Sequence, residues 1–255
     1  MMQAFGAAHW TMLGATFAFF VLGWLLVPRL GRIAQNILFF VCAFLCCGGI
    51  FFRYAMGLSW TAHFDFATLA MEMLQVCNFN FLLLPLMLVP KFELARQYSI
   101  LFSMTAALTT FLSPSSSWAQ LPWYSATVLN SWLNHTFAVA LPLFMMAARR
   151  LKPQKNYVLP VLGCVFLYFT VAAGVSWLLI LKGVITRENS FSFIFSTDGI
   201  PFFELLYRLI PLPYFYLYPL LLLLAAYFYL LAKVFERRPT LPFSLRICDA
   251  SEKDT

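Results

Sequence analysis

A thiol and an imidazole each lie deep within a separate apolar stretch, as Cys77 and His135. Each is ten residues into its stretch. At 1.5 Å rise per residue this puts both roughly 15 Å below the same bilayer surface. An imidazole beside a cysteine favours the thiolate, which is the nucleophilic form. Desolvation works against that charge, so the pair needs polar support. The implied chemistry is attack on an ester, with the imidazole moving the proton.

Support is legible nearby. Ser131 lies one turn before His135, and Asn130, Asn134 and Thr136 flank it. Asn80 falls within about 60° of Cys77 on a helical wheel, whereas Glu72, Gln75 and Thr68 form a separate stripe more than about 100° away. On a regular helix Glu72 and Cys77 therefore cannot address one partner. Ionisable groups at membrane depth are functional candidates, so Glu72 paired with His9 or His135 is an equal alternative to Cys77 with His135. The structural readings stand beside these. Gln75, Asn78 and Asn80 serve as interhelical hydrogen-bond groups, and His135 as a bond to another helix. His9 serves as an interfacial residue. Cys42, Cys46, Cys47 and Cys164 serve as small apolar packing.

The chain that must hold these groups is 62% hydrophobic and 11% charged over 255 residues. About 25% charge is usual for soluble domains. It cannot cover a soluble surface, and it reads as an all-α, polytopic membrane protein. Seven apolar runs predict a seven-transmembrane-helix bundle: 5–27, 34–56, 67–89, 98–112, 125–148, 157–181 and 213–234. The fourth is short, and either extends through 113–118 or is re-entrant. Pro85, Pro142, Pro160 and Pro219 fall within runs and predict kinks. With seven spans the 17 basic residues divide thirteen to one side and four to the other. That asymmetry places the N-terminus outside and the C-terminus in the cytoplasm. Residues 1–238 form one transmembrane domain, and 239–255 a polar cytoplasmic tail. Residues 1–10 carry no basic n-region, so the first run is read as a retained helix. In the outer loop 182–212, residues 199–210 read as a short amphipathic helix. Phe202, Phe203, Leu206, Leu209 and Ile210 share one face, Glu204 and Arg208 pair opposite, and Asp198 caps the start. It is either a loop element packed on the bundle or a lid over a lipid-access opening.

The net charge of +7 does not point to nucleic acid, because the basic residues cluster at span ends. Six cysteines, five of them inside apolar runs, fit neither a disulfide framework nor zinc spacing. No metal and no cofactor is expected. The expected partners are membrane lipids, as solvent or substrate, with a homo-oligomer or membrane partner left open.

Several motifs occur in order: FGAAHW, MLQVCN, FLSPSS, LNHTFAVALPL and IPLPYFYLYPL. In this order the chain resembles the YwaF-like family of bacterial membrane proteins, a group related to animal transmembrane protein 164. The resemblance covers nearly the whole chain, each motif being loose. It implies a phospholipid acyltransferase in a bacterial plasma membrane, with Cys77 as acyl-accepting nucleophile and His135 as base. Gln75 stands where the family usually has His, and Asn134 and Thr136 where it has Ser and Gly. Beside that reading stand a transporter or membrane binding or assembly subunit, and a non-retinal seven-helix sensor. A retinal protein needs a mid-span lysine, and the last run has only Lys233 at its inner end. The acyltransferase reading predicts a lipid-open cavity between spans three and five.

Overall fold

The computed structural model describes residues 6–55, 73–112, 121–187, 191–197 and 200–241. Among these, all regular structure is helical. The helices are α1 (Ala7–Leu26), α2 (Arg32–Ala55), α3 (Val76–Leu83), α4 (93–112), α5 (Ala126–Ala147), α6 (Val158–Leu181), α7 (Pro201–Leu209) and α8 (Tyr218–Phe235). Among the described residues, four stretches are long and apolar enough to cross a membrane: Ala7–Arg29, Arg32–Phe52, Lys155–Leu181 and Phe215–Phe235. Their outer faces carry exposed aliphatic side chains such as Leu159, Leu222 and Val234. Lipid is the solvent that tolerates such a surface.

The centre of the bundle is α5. Fifteen of its 22 residues are buried, and it packs against α1, α2, α3 and α4. Its contact with α2 is a close approach of backbones. A Cβ added to Gly49 would lie 1.9 Å from Asn134 Oδ1. Asn130 Nδ2 donates to Gly49 O at 3.3 Å, and Cys46 Sγ to Asn134 O at 3.4 Å. Small residues at a helix seam allow this approach, and polar side chains join the helices across it. The packing reading of Cys42 and Cys46, both buried, accounts for their place here. On the α1 side, Trp132 Nε1 donates to Thr16 Oγ1 at 2.8 Å, and the Phe144 ring lies over Gly23.

The basic end of the bundle is closed by a polar clasp. Gln35 donates to Val27 O and Leu30 O, pinning the α1–α2 turn, and accepts from Arg150 Nε and Nη2 at 3.2 Å. Arg96 donates to Glu93 and to Arg150 O. Gln97 donates to Glu93 and to Lys152 O. Lys152 Nζ donates to Glu236 O and Arg238 O beyond α8. The hydrogen bond and charge of Lys155 hold the exposed Glu236 carboxyl below its ordinary value. A depressed carboxyl contributes stability above its unfolded pKa, so this contact loosens only as pH falls through the depressed value.

The boundaries depart from the sequence reading in three places. The fourth run begins at Glu93, five residues early, because the clasp satisfies Glu93, Arg96 and Gln97, whose polarity marked them as loop. The third run is not one regular helix. Met73–Gln75 turns, Gln75 has extended backbone (φ −81°, ψ 119°), and α3 starts at Val76. It then tightens into a 3₁₀ turn at Leu84–Leu88, where Pro85 lacks an N–H for the α ladder. Pro160 and Pro219 lie in first turns, where no N–H is needed. Pro142 lies inside a helix.

Gly49→Val is expected to cost about 1–3 kcal/mol by overpacking the α2–α5 seam. Gly48→Val, at a position with open space around it, controls for helix propensity. Thermal unfolding of the two variants in detergent checks this, and equal midpoints would remove the seam from its central place.

Candidate functional site

Cys77 is the second residue of α3, not the tenth residue of a continuous helix. It is half-buried and packs against the main apolar core. The Thr110 hydroxyl, near the end of α4, lies beside it and donates to Ala106 O. Tyr98, Tyr168 and Cys46 lie within electrostatic reach.

His135 sits on the face of α5 that meets α3 and α4. Its ring is edge-on to Phe81 at 5.0 Å and to Phe111 at 6.3 Å between centroids. Phe81 is one turn from Cys77 on the same face, and helical side chains lean toward the helix start. Phe111 follows Thr110. The imidazole and the thiol thus share two neighbouring elements. His135 Nδ1 donates to Ser131 O at 2.7 Å. A carbonyl only accepts, so the neutral ring carries its proton on Nδ1 and keeps Nε2 as the basic nitrogen. The sequence pointed to Ser131, but the contact is its backbone oxygen and not its hydroxyl.

The supporting residues divide. Asn80 accepts from Tyr98 Oη at 2.9 Å and is buried. Asn134 turns toward Gly49 of α2, as described above. His9 is fully buried. Its Nε2 donates to Phe111 O at 2.8 Å, and its ring is edge-on to Trp132. Through Phe111, His9 and His135 belong to one aromatic cluster. Glu72 and Thr68 lie outside the described residues, as do 113–118, Asp198 and the tail from 242. With the break at Gln75, the wheel angle between the Glu72 stripe and Cys77 no longer applies.

Sequence reasoning missed what holds α3 in place. Ser192, from the loop after α6, is buried and has a positive φ of 55°. Its Oγ accepts from Val76 N at 2.9 Å and donates to Leu74 O. Its own N–H donates to Gln75 Oε1 at 3.3 Å. Tyr168 Oη donates to Met73 O at 3.1 Å beside it. A serine more than a hundred residues away thus caps the Cys77 helix, satisfying a first-turn N–H that lipid would leave orphaned. No local signal in FSFIF marks it. The same loop is tied to α7. Phe193 stacks on Phe203 at 4.7 Å, and its carbonyl accepts from Tyr216. The amphipathic helix expected at 199–210 is present as Pro201–Leu209, with Leu206 buried.

Inside α4, Ser99–Ser103 forms a π-helix buried along its length, packed against α3, α5, α6 and α8. Among the described residues the hydroxyls of Ser99 and Ser103 are buried without a hydrogen-bond partner. Such bulges often mark functional segments. No group of three or more His, Cys, Asp or Glu that could hold a metal occurs among the described residues.

A family model described as the TMEM164 family matches residues 4–232. The chain belongs to the TMEM164 family. No curated protein and no solved structure matches it. The match to the TMEM164 family runs from ahead of His9 on α1 into the last turn of α8. Together with the apolar helices it makes this a multi-pass membrane protein.

Ser192→Ala is expected to cost about 1–2 kcal/mol, the worth of a helix cap. It should also speed amide exchange in the peptide spanning Val76–Leu83. Hydrogen-exchange mass spectrometry reads this directly. Unchanged exchange there would mean that Ser192 does not hold the Cys77 turn.

Proposed function

We propose that this protein is a lipid-active acyltransferase of a bacterial plasma membrane, with Cys77 as nucleophile and His135 as base. The observation that carries the reading is the shared setting of the two groups. Phe81, one turn from Cys77, touches the imidazole, while Thr110 lies beside the thiol and its neighbour Phe111 beside the imidazole. The Nδ1–Ser131 bond adds to it by fixing the tautomer that leaves Nε2 basic. The resemblance of MLQVCN and LNHTFAVALPL to acyltransferase-like relatives points the same way.

In this reading His135 Nε2 takes the Cys77 proton, and the thiolate attacks a phospholipid ester carbonyl. The C–O bond breaks, and the leaving lysolipid alkoxide takes the proton back from His135. The acyl group rests on Cys77 as a thioester. A lysolipid hydroxyl then gives its proton to His135 and attacks that thioester, restoring the thiol. The pair works within a seven-span bundle, N-terminus outside and C-terminus in the cytoplasm. Each predicted run overlaps one of the helices α1–α6 or α8, which supports that count.

The test is acyl transfer from a chain-labelled phosphatidylcholine to a lysophospholipid in vesicles holding the full chain. Cys77→Ala is expected to lower transfer to background, and His135→Gln to lower it by about 10²–10⁴-fold. Transfer that survives Cys77→Ala would sink the nucleophile assignment. No transfer by the unaltered protein would leave the alternative of a membrane binding subunit.

A further inference from the structure

A crevice of about 590 Å³ opens on the flank of the bundle, between α3, the start of α4 and α6. It lies on a different flank from the opening expected between the third and fifth spans. Phe79, Leu83, Leu167 and Val171 wall it, and Lys91 and Glu93 stand at one end. A slot this apolar suits hydrocarbon and not water. Along α6 its wall runs from Cys164 to Val171, roughly 10 Å of helix. One leaflet of hydrocarbon is about 15 Å deep, so the slot takes the greater part of one acyl chain.

The two charges at the mouth are not equivalent. Glu93 is fully engaged, accepting from Arg96 at 2.7 Å and from Gln97 and Gln154 at 2.8 Å. Lys91 is exposed, and among the described residues no ion pair or hydrogen bond engages its ammonium. A cation with no ion-pair partner among the described residues thus stands at the mouth of an apolar slot, at the basic end of the bundle.

We propose that this crevice binds one anionic phospholipid of the leaflet at that end, with an acyl chain in the slot and its phosphodiester on Lys91. Such a lipid holds its ester groups just below the headgroup, near Lys91. Cys77 is at the other end of α3, roughly 20 Å away counting α and 3₁₀ rises. The crevice lipid is therefore not the ester that Cys77 attacks. It is a resident ligand that fills the gap between α3 and α6, and its binding does not depend on any acyl-transfer activity.

The full chain is reconstituted in vesicles of equimolar phosphatidylcholine and phosphatidylglycerol, extracted in mild detergent, and its retained lipids counted by native mass spectrometry. The unaltered protein is expected to retain phosphatidylglycerol about fivefold over phosphatidylcholine, the worth of one lysine near an anionic headgroup. Lys91→Gln should bring the ratio to one. Lys233→Gln, at the same end but away from the crevice, should leave it unchanged. Val171→Trp should lower retention of both lipids by filling the slot. An equal ratio in the unaltered protein, or a preference that survives Lys91→Gln, would overturn the site. An equal loss in Lys91→Gln and Lys233→Gln would do the same, reducing the preference to general surface charge.

Discussion

One helix in this bundle carries a polar face that lipid cannot cover, and the arrangement of the others follows from that. Asn130, Asn134, His135 and Thr136 crowd within two turns of α5, and all four are buried. A helix so polar has to be sheathed in protein. The sheath is formed by α1, α2, α3 and α4, and each meets α5 with a different device: the Thr16–Trp132 bond, the Gly49 approach, the Phe81 ring and the Phe111 ring. Between apolar helices in lipid, hydrophobic burial supplies little net attraction, so close packing and buried hydrogen bonds determine the neighbours.

The all-α, membrane-spanning class could be read from the sequence because hydrocarbon demands long apolar helices. Individual boundaries were less legible wherever polarity is satisfied at a distance. Glu93, Arg96 and Gln97 look like loop until Lys152 O, Gln154 and Arg150 O are placed against them. Gln75 looks like mid-helix until Ser192, from a loop after α6, is seen to interrupt the ladder there. Both cases pair residues that are far apart in sequence, and no local window carries that information.

The candidate site was legible in part for the same reason. Cys77 and His135 stand out as reactive types in apolar runs, and the structure sets them on facing elements. The route by which they are held was not readable. The imidazole is oriented by a backbone carbonyl, which has no sequence signature. The thiol sits on the first turn of a short helix instead of deep in a long one. Asn134, adjacent to His135 in sequence, faces the opposite neighbour because successive helical residues are about 100° apart.

The clasp at the basic end bears on how the molecule is made. Lys152 reaches backbone oxygens just past α8, and Leu241 N–H donates to Arg149 O. The earlier half of that fastening is synthesised some eighty residues before the later half. While the ribosome is still producing α6 and α8, Arg150 already has Gln35 as its acceptor, but Lys152 has neither of its own. This part of the closure therefore follows synthesis of residue 238, and a nascent chain halted before residue 236 leaves that end only half latched.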